Sequence, residues 1–222
     1  KKFPEGFLKK MMVLLLLGAS QGLLGWFMVQ SGLQKNPSVS HYRLAAHLVA
    51  AFIAFGFTFW YALDLIYASA PAATPLQKGV KKIVVVLFST VVIQIIFGAF
   101  VAGLKAGYMY PTFPKMGDKW IADEITALEP LWKNFLEGHA GVQFVHRYLA
   151  YAIVILAGIL FYCTRKIQLT PLQKKLVNTL GIIVSLQFIL GVLTIIYGVP
   201  IAIAVLHQTG AFFLFATTLF LI

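Results

Sequence analysis

Six stretches of this chain are almost wholly apolar, at about 11–30, 44–66, 83–104, 141–163, 176–197 and 201–222, and the charged residues gather between them. Each is close to the ~20 residues with which a helix crosses the hydrocarbon of a bilayer. Gly and Ser fall inside these runs without the strict alternation that a membrane barrel strand needs. The pattern therefore predicts six transmembrane α-helices. One connection differs from the rest: residues 105–139 are polar, and Pro111, Pro114 and Pro130 break the stretch from Tyr110 to Glu137. That pattern predicts an irregular outer loop with room for a short interfacial helix.

Composition agrees, since 60% hydrophobic and 11% charged residues with a mean hydropathy of +0.86 leave too little polar surface for a water-soluble globule of this length. The formal net charge of +11 matters mainly through its placement. Eleven basic residues share one side of the membrane: Lys1, Lys2, Lys9, Lys10, Lys78, Lys81, Lys82, Arg165, Lys166, Lys174 and Lys175. The other side holds Lys35, Arg43, Lys105, Lys115, Lys119 and Lys133, together with Asp118, Asp123, Glu124, Glu129 and Glu137. By the positive-inside rule the first side is cytoplasmic or matrix-facing, and 105–139 faces outward. Basic charge here reports orientation and gives no reason to expect a nucleic-acid partner. The single cysteine, Cys163, excludes a disulfide within the chain. The first apolar run follows KKFPEGFLKK and is long enough to stay in the membrane instead of being cleaved as a signal peptide.

Three of the runs carry Gln followed four residues later by Gly: Gln21 and Gly25, Gln94 and Gly98, Gln187 and Gly191. Residues four apart share one helical face. The run after each carries a histidine near its outer end, namely His47, His146 and His207. The chain thus reads as three copies of a Gln-Gly helix paired with a His helix. The last two copies make a four-helix unit over 83–222, residues 69–82 form an inner linker, and 1–68 supplies the second helix pair of another unit. The fold expected is all-α and integral to the membrane, with six visible helices from a pseudo-duplicated pair of four-helix bundles. Eight helices are expected in the complete protein, the others lying upstream of residue 1.

At ~1.5 Å per residue the three histidines lie at one level, roughly 6–9 Å inside the outer boundary. A single imidazole in a membrane helix often serves only to hydrogen-bond between helices. Three at equivalent positions favour a shared ligand, because intramembrane ionisable residues mark functional sites. Haem iron accepts axial imidazoles from two helices of a bundle. Zinc would need a third or fourth ligand, and no Cys or carboxylate lies at that depth. Gly25, Gly98 and Gly191 would leave room for a porphyrin, or serve close helix packing alone. Arg43 and Arg147 would pair with its propionates, or reach to the interface. His41 and His139 flank helix starts in polar context and read as interfacial. Glu137 suits a helix N-terminus, and Asp64 reaches the inner headgroups.

The motifs GLLGWFMVQSGL, VSHYRLAAHL, AGLKAGYMYPTFPKMGDKW, VQFVHRYLAY and YGVPIAIAVLHQTGA stand in this order along nearly the whole chain. Together they closely resemble the haem A synthase family, in the form without cysteine pairs in its outer loops. The resemblance implies an oxidoreductase that converts the C8 methyl of haem O to a formyl group, giving haem A for cytochrome oxidase. It implies a haem b cofactor held by His146 and His207, around which Arg147, Gln94, Gln187, Gly98 and Gly191 are the further candidates. It implies a substrate haem whose iron meets His47, with Arg43, Gln21 and Gly25 as neighbours. The carboxylate assigned to catalysis in that family is expected outside this chain. Implied partners are membrane lipid, a haem O synthase, an electron donor such as a ferredoxin, cytochrome oxidase assembly factors and a second copy of the chain. The implied location is a bacterial cell membrane, or the mitochondrial inner membrane. Two other classes compete: a bis-histidine membrane cytochrome b that only transfers electrons, and a transporter whose Gln and His side chains line a path.

Overall fold

The computed structural model describes residues 6–32, 39–68 and 74–222. Lys1, Lys2, Lys35 and the 69–73 part of the inner linker lie outside the described residues. The apolar runs are the helices α1 (Phe7–Gly32), α2 (His41–Ile66) and α3 (Lys78–Gly103), then, after a short α4 (Trp132–Leu136), α5 (His139–Thr164), α6 (Pro171–Ile196) and α7 (Ile201–Leu221). All but α4 are long and apolar enough to cross a membrane, and the chain is a multi-pass membrane protein.

The helices extend past the apolar runs at their inner ends, so that α3 takes in Lys78, Lys81 and Lys82, and α6 takes in Lys174 and Lys175. Lysine stems can lie along such a turn while their ammonium groups reach the headgroups. The start of α6 is fixed locally. Thr170 Oγ1 accepts from the Gln173 N–H, the Gln173 side chain accepts from the Thr170 N–H, and Pro171 occupies the first helical position. Its end is fixed by Gly198 at φ +69, where the Val199 N–H bonds Thr194 O at 2.7 Å and the Gly198 N–H bonds Ile195 O at 3.1 Å.

Two units divide the chain, residues 1–73 and 74–222. In the first, α1 packs along α2, and Lys10 Nζ meets Asp64 Oδ2 at 2.7 Å near the inner ends. In the second, α3 packs against α5 and α7, and α6 packs against the same two. The four helices close into a square with α5 facing α7 across one diagonal. The inner half of this bundle is tightly filled. Val84, Leu87 and Val91 of α3, Leu160 of α5, Leu180 of α6 and Thr218 of α7 are at most 1% exposed.

The outer loop is ordered against the start of α5. Met116, Ala122 and Ile125 form a small core with Ala140. Asn134, fully buried, accepts from the Leu128 N–H and donates to Leu128 O and Leu131 O, so its amide ties the loop to itself. Gly141 allows this approach, since a Cβ there would overlap the Asn134 carbonyl.

Candidate functional site

His47, His146 and His207 stand six, seven and six residues into α2, α5 and α7. At ~1.5 Å per residue this is one depth, about 9–10 Å along each helix. Each imidazole faces the glycine of the preceding Gln-Gly helix. A Cβ added to Gly98 would lie 3.3 Å from His146 Cε1, one on Gly191 3.1 Å from His207 Cε1, and one on Gly25 3.5 Å from His47 Cε1. Imidazole edges fill the space at these glycines, and the same contact recurs in all three helix pairs.

His146 and His207 belong to the diagonal helices α5 and α7. Gln94 Nε2 lies 3.4 Å from His146 Nε2. An amide NH2 can only donate, so in this pairing the imidazole accepts and carries its proton on Nδ1. That tautomer has its lone pair on Nε2, where Gln94 meets it, so a metal bound at Nε2 would take the place of this contact. Gln187, 9% exposed, lies against Gly210, one turn beyond His207.

Polar atoms without partners concentrate here. Among the described residues, the buried side-chain polar atoms lacking any hydrogen bond are Gln21 Nε2, His47 Nδ1, Gln94 Oε1, Gln143 Oε1, His146 Nδ1, Arg147 Nε, Tyr151 Oη and His207 Nδ1. Six of these eight lie on residues singled out from the sequence. Each such atom costs about 1–3 kcal/mol if nothing satisfies it, so their presence on Gln94, His146 and His207 within residues 74–222 marks that bundle as a binding region.

Arg147 is 6% exposed and does more than reach the interface. Its Nη1 donates to Thr112 O at 2.8 Å and Lys115 O at 3.2 Å, and its Nη2 donates to Tyr110 O at 2.6 Å. Gln143, four residues earlier on the same face, donates to Tyr110 O at 3.2 Å. These two side chains hold the outer loop to the helix that carries His146. From the loop, Phe113 reaches Tyr151 of α5 and Phe188 of α6, with ring centroids 6.4 and 5.9 Å away. The Tyr110 hydroxyl donates to Glu124. Burial, and then this bond, pushes the Tyr110 phenol up to about 12, while the same bond holds the Glu124 carboxyl below its ordinary value.

Gln143, Tyr151, Tyr110 and Asn134 escaped the sequence reading. Only Gln143 had a visible signal, a second polar residue one turn before Arg147 in an apolar helix. In the first unit, Gly25 and His47 meet as described, and the Arg43 guanidinium lies 5.2 Å over the Phe27 ring. His41 and His139 open α2 and α5.

The sequence matches the COX15-CtaA family, described as cytochrome oxidase assembly protein, over residues 1–219. It is 46% identical over 222 residues to a protein of Flavobacterium johnsoniae named heme A synthase, an overlap covering 96% of this chain and 63% of that one. A heme A synthase of Wolbachia pipientis wMel is 40% identical, over 99% of this chain and 61% of its own. The heme A synthase COX15 of Arabidopsis thaliana is 42% identical, over 92% of this chain and 47% of its own. The chain thus spans less than two thirds of the length of these relatives. It belongs to the cytochrome oxidase assembly protein family.

Proposed function

We propose that this chain is part of a haem A synthase. In this reading α3, α5, α6 and α7 hold a haem b cofactor, and α1 with α2 contributes to the site for haem O. The observation that carries it is the presence of His146 and His207 on diagonal helices of one bundle at one depth, each with a buried nitrogen lacking a partner. The residues present fit a bis-imidazole haem. A haem bound there supplies electron transfer for oxidation of the C8 methyl of haem O to the formyl group of haem A.

The chain's own residues do the positioning. Gln94, by donating to Nε2 of His146, favours the tautomer whose Nε2 lone pair iron would take over from the amide, and Gly98 and Gly191 let the backing helices close on the rings. The filled inner half of the bundle shuts the site off from the inner side. Arg147, whose Nε is still without a partner, offers that N–H to a propionate while its other nitrogens hold the loop. His47 is assigned to the substrate haem, with Gln21, Gly25 and Arg43 as its neighbours. The names of the relatives support the reading, and none of those quoted is named as an electron carrier. A haem O synthase as supplier, a ferredoxin-type electron donor, oxidase assembly factors and a second copy of the chain are the partners proposed, in a bacterial cell membrane or the mitochondrial inner membrane.

The test is pigment extraction from membranes containing the complete protein. His47→Ala should end haem A formation while haem b persists. Unchanged haem A output would remove His47 from the reaction. Unaltered haem O beside a reversible haem b spectrum in the unsubstituted protein would make this an electron carrier.

A further inference from the structure

The outer loop buries some of its apolar side chains and leaves others exposed. Its inner face is the small core on α5. Outside that core, Trp120 and Ile121 are 53% and 59% exposed, and Leu131 and Trp132 are 53% and 55% exposed. Two adjacent pairs of large apolar side chains exposed in one loop call for a contact surface.

The height of these residues identifies what they contact. Tyr148, nine residues into α5 and exposed on its flank, donates its hydroxyl to Trp120 O at 3.3 Å, and Phe144 packs on the Tyr148 ring at 4.2 Å. Trp120 is therefore held beside a membrane-spanning helix, below its outer end. Trp132 opens α4, which ends at Leu136 just before α5 begins at His139. Both tryptophans sit in the same chemical setting, Lys119-Trp120-Ile121 and Leu131-Trp132-Lys133. An indole, an aliphatic side chain and a lysine stem together suit the boundary between headgroups and acyl chains, where the ring has one apolar and one wet end. Charge adds little. The loop carries Lys105, Lys115, Lys119 and Lys133 against Asp118, Asp123, Glu124, Glu129 and Glu137, and Lys119 is engaged by Asp123.

We infer that the outer loop rests on the bilayer, with Trp120, Ile121, Leu131 and Trp132 seated at the headgroup–acyl boundary of the outer leaflet. The partner is phospholipid, recognised by apolar insertion and not by headgroup charge.

Fluorine NMR tests this in the complete protein, labelled with fluorinated tryptophan and reconstituted in phosphatidylcholine nanodiscs. Trp120→Phe and Trp132→Phe each delete one signal and so assign it; Trp→Tyr serves where a Phe variant fails to fold. The measurement itself is made on the unsubstituted protein. Both signals should be lost when the lipid carries a nitroxide near the glycerol end of its acyl chain, and should survive a water-soluble gadolinium chelate. Added anionic lipid should leave this pattern unchanged. Loss with the chelate alone would put the rings in water, and loss with neither would put them under protein; either result overturns the inference.

Discussion

The two halves of the bundle in 74–222 follow opposite rules. In the inner half, Val84, Leu87 and Val91 of α3, Leu160 of α5 and Leu180 of α6 are buried against one another's helices, and the polar Thr218 hydroxyl is satisfied by Leu214 O and Phe215 O. In the outer half, at the depth of His146, polar atoms stand buried and unsatisfied, and three of them belong to Gln94, His146 and His207. Hydrocarbon gives such atoms no alternative partner. A fold can carry that cost in one half only if the other half, with the loop clamp above, stabilises it independently. The comparison thus separates residues that keep the bundle together from residues that make it a site.

The largest expected effect breaks this separation from the outer side. His207→Ala or His146→Ala removes one of two imidazoles while leaving the inner contacts untouched. Haem b absorbance of the purified protein should be lost, and helix content should stay at the unsubstituted level. Retention of a normal bis-imidazole spectrum in either variant would exclude that histidine as a ligand.

The converse change comes next. Leu87 is fully buried in the inner half. Leu→Ala in packed cores costs roughly 2–5 kcal/mol, made up of a transfer part and a cavity part. In lipid the transfer part largely falls away, because acyl chains are as apolar as leucine, so about 2 kcal/mol is expected for Leu87→Ala. Denaturation in detergent should show the loss, with haem b content unchanged. Loss of haem at equal stability would mean that the two halves are not separable.

This division was only partly legible in the sequence. The six spans could be read because continuous apolarity is required of anything that crosses hydrocarbon. The Gln, Gly and His positions stood out for the same reason, being polar or small where leucine would do. Helix ends were less visible: Lys78, Lys81 and Lys82 lie in α3 because a helix continues into the headgroups, where hydropathy no longer reports it. The clamp by Arg147 was hidden because its partners are backbone carbonyls of Tyr110, Thr112 and Lys115, more than thirty residues away and independent of side-chain identity. Asn134 was hidden likewise, since its amide answers to Leu128 and Leu131 main chain. Polar residues that serve a ligand and polar residues that serve a loop look alike until the loop is placed.

The smallest expected effect concerns that loop and is read by pH. The Tyr110 phenol is raised to about 12 in the folded chain, so its neutral form, donating to Glu124, adds stability that is complete below the ordinary value of 10.0 and is lost as pH climbs through about 12. Glu124 works in the other direction: its lowered carboxyl adds stability above the ordinary 4.5 that is lost as pH falls through the depressed value. Because Glu124 is exposed to water, screening keeps the acid step slight. The emission of Trp120 and Trp132, both in this loop, should shift between pH 10 and 12 in the unsubstituted protein. Tyr110→Phe should abolish the shift and leave haem b bound, since Arg147 grips the main-chain carbonyl of residue 110, which the substitution keeps. An alkaline step of equal size in Tyr110→Phe would show that another group carries it and that the Tyr110–Glu124 bond does not help to hold the loop.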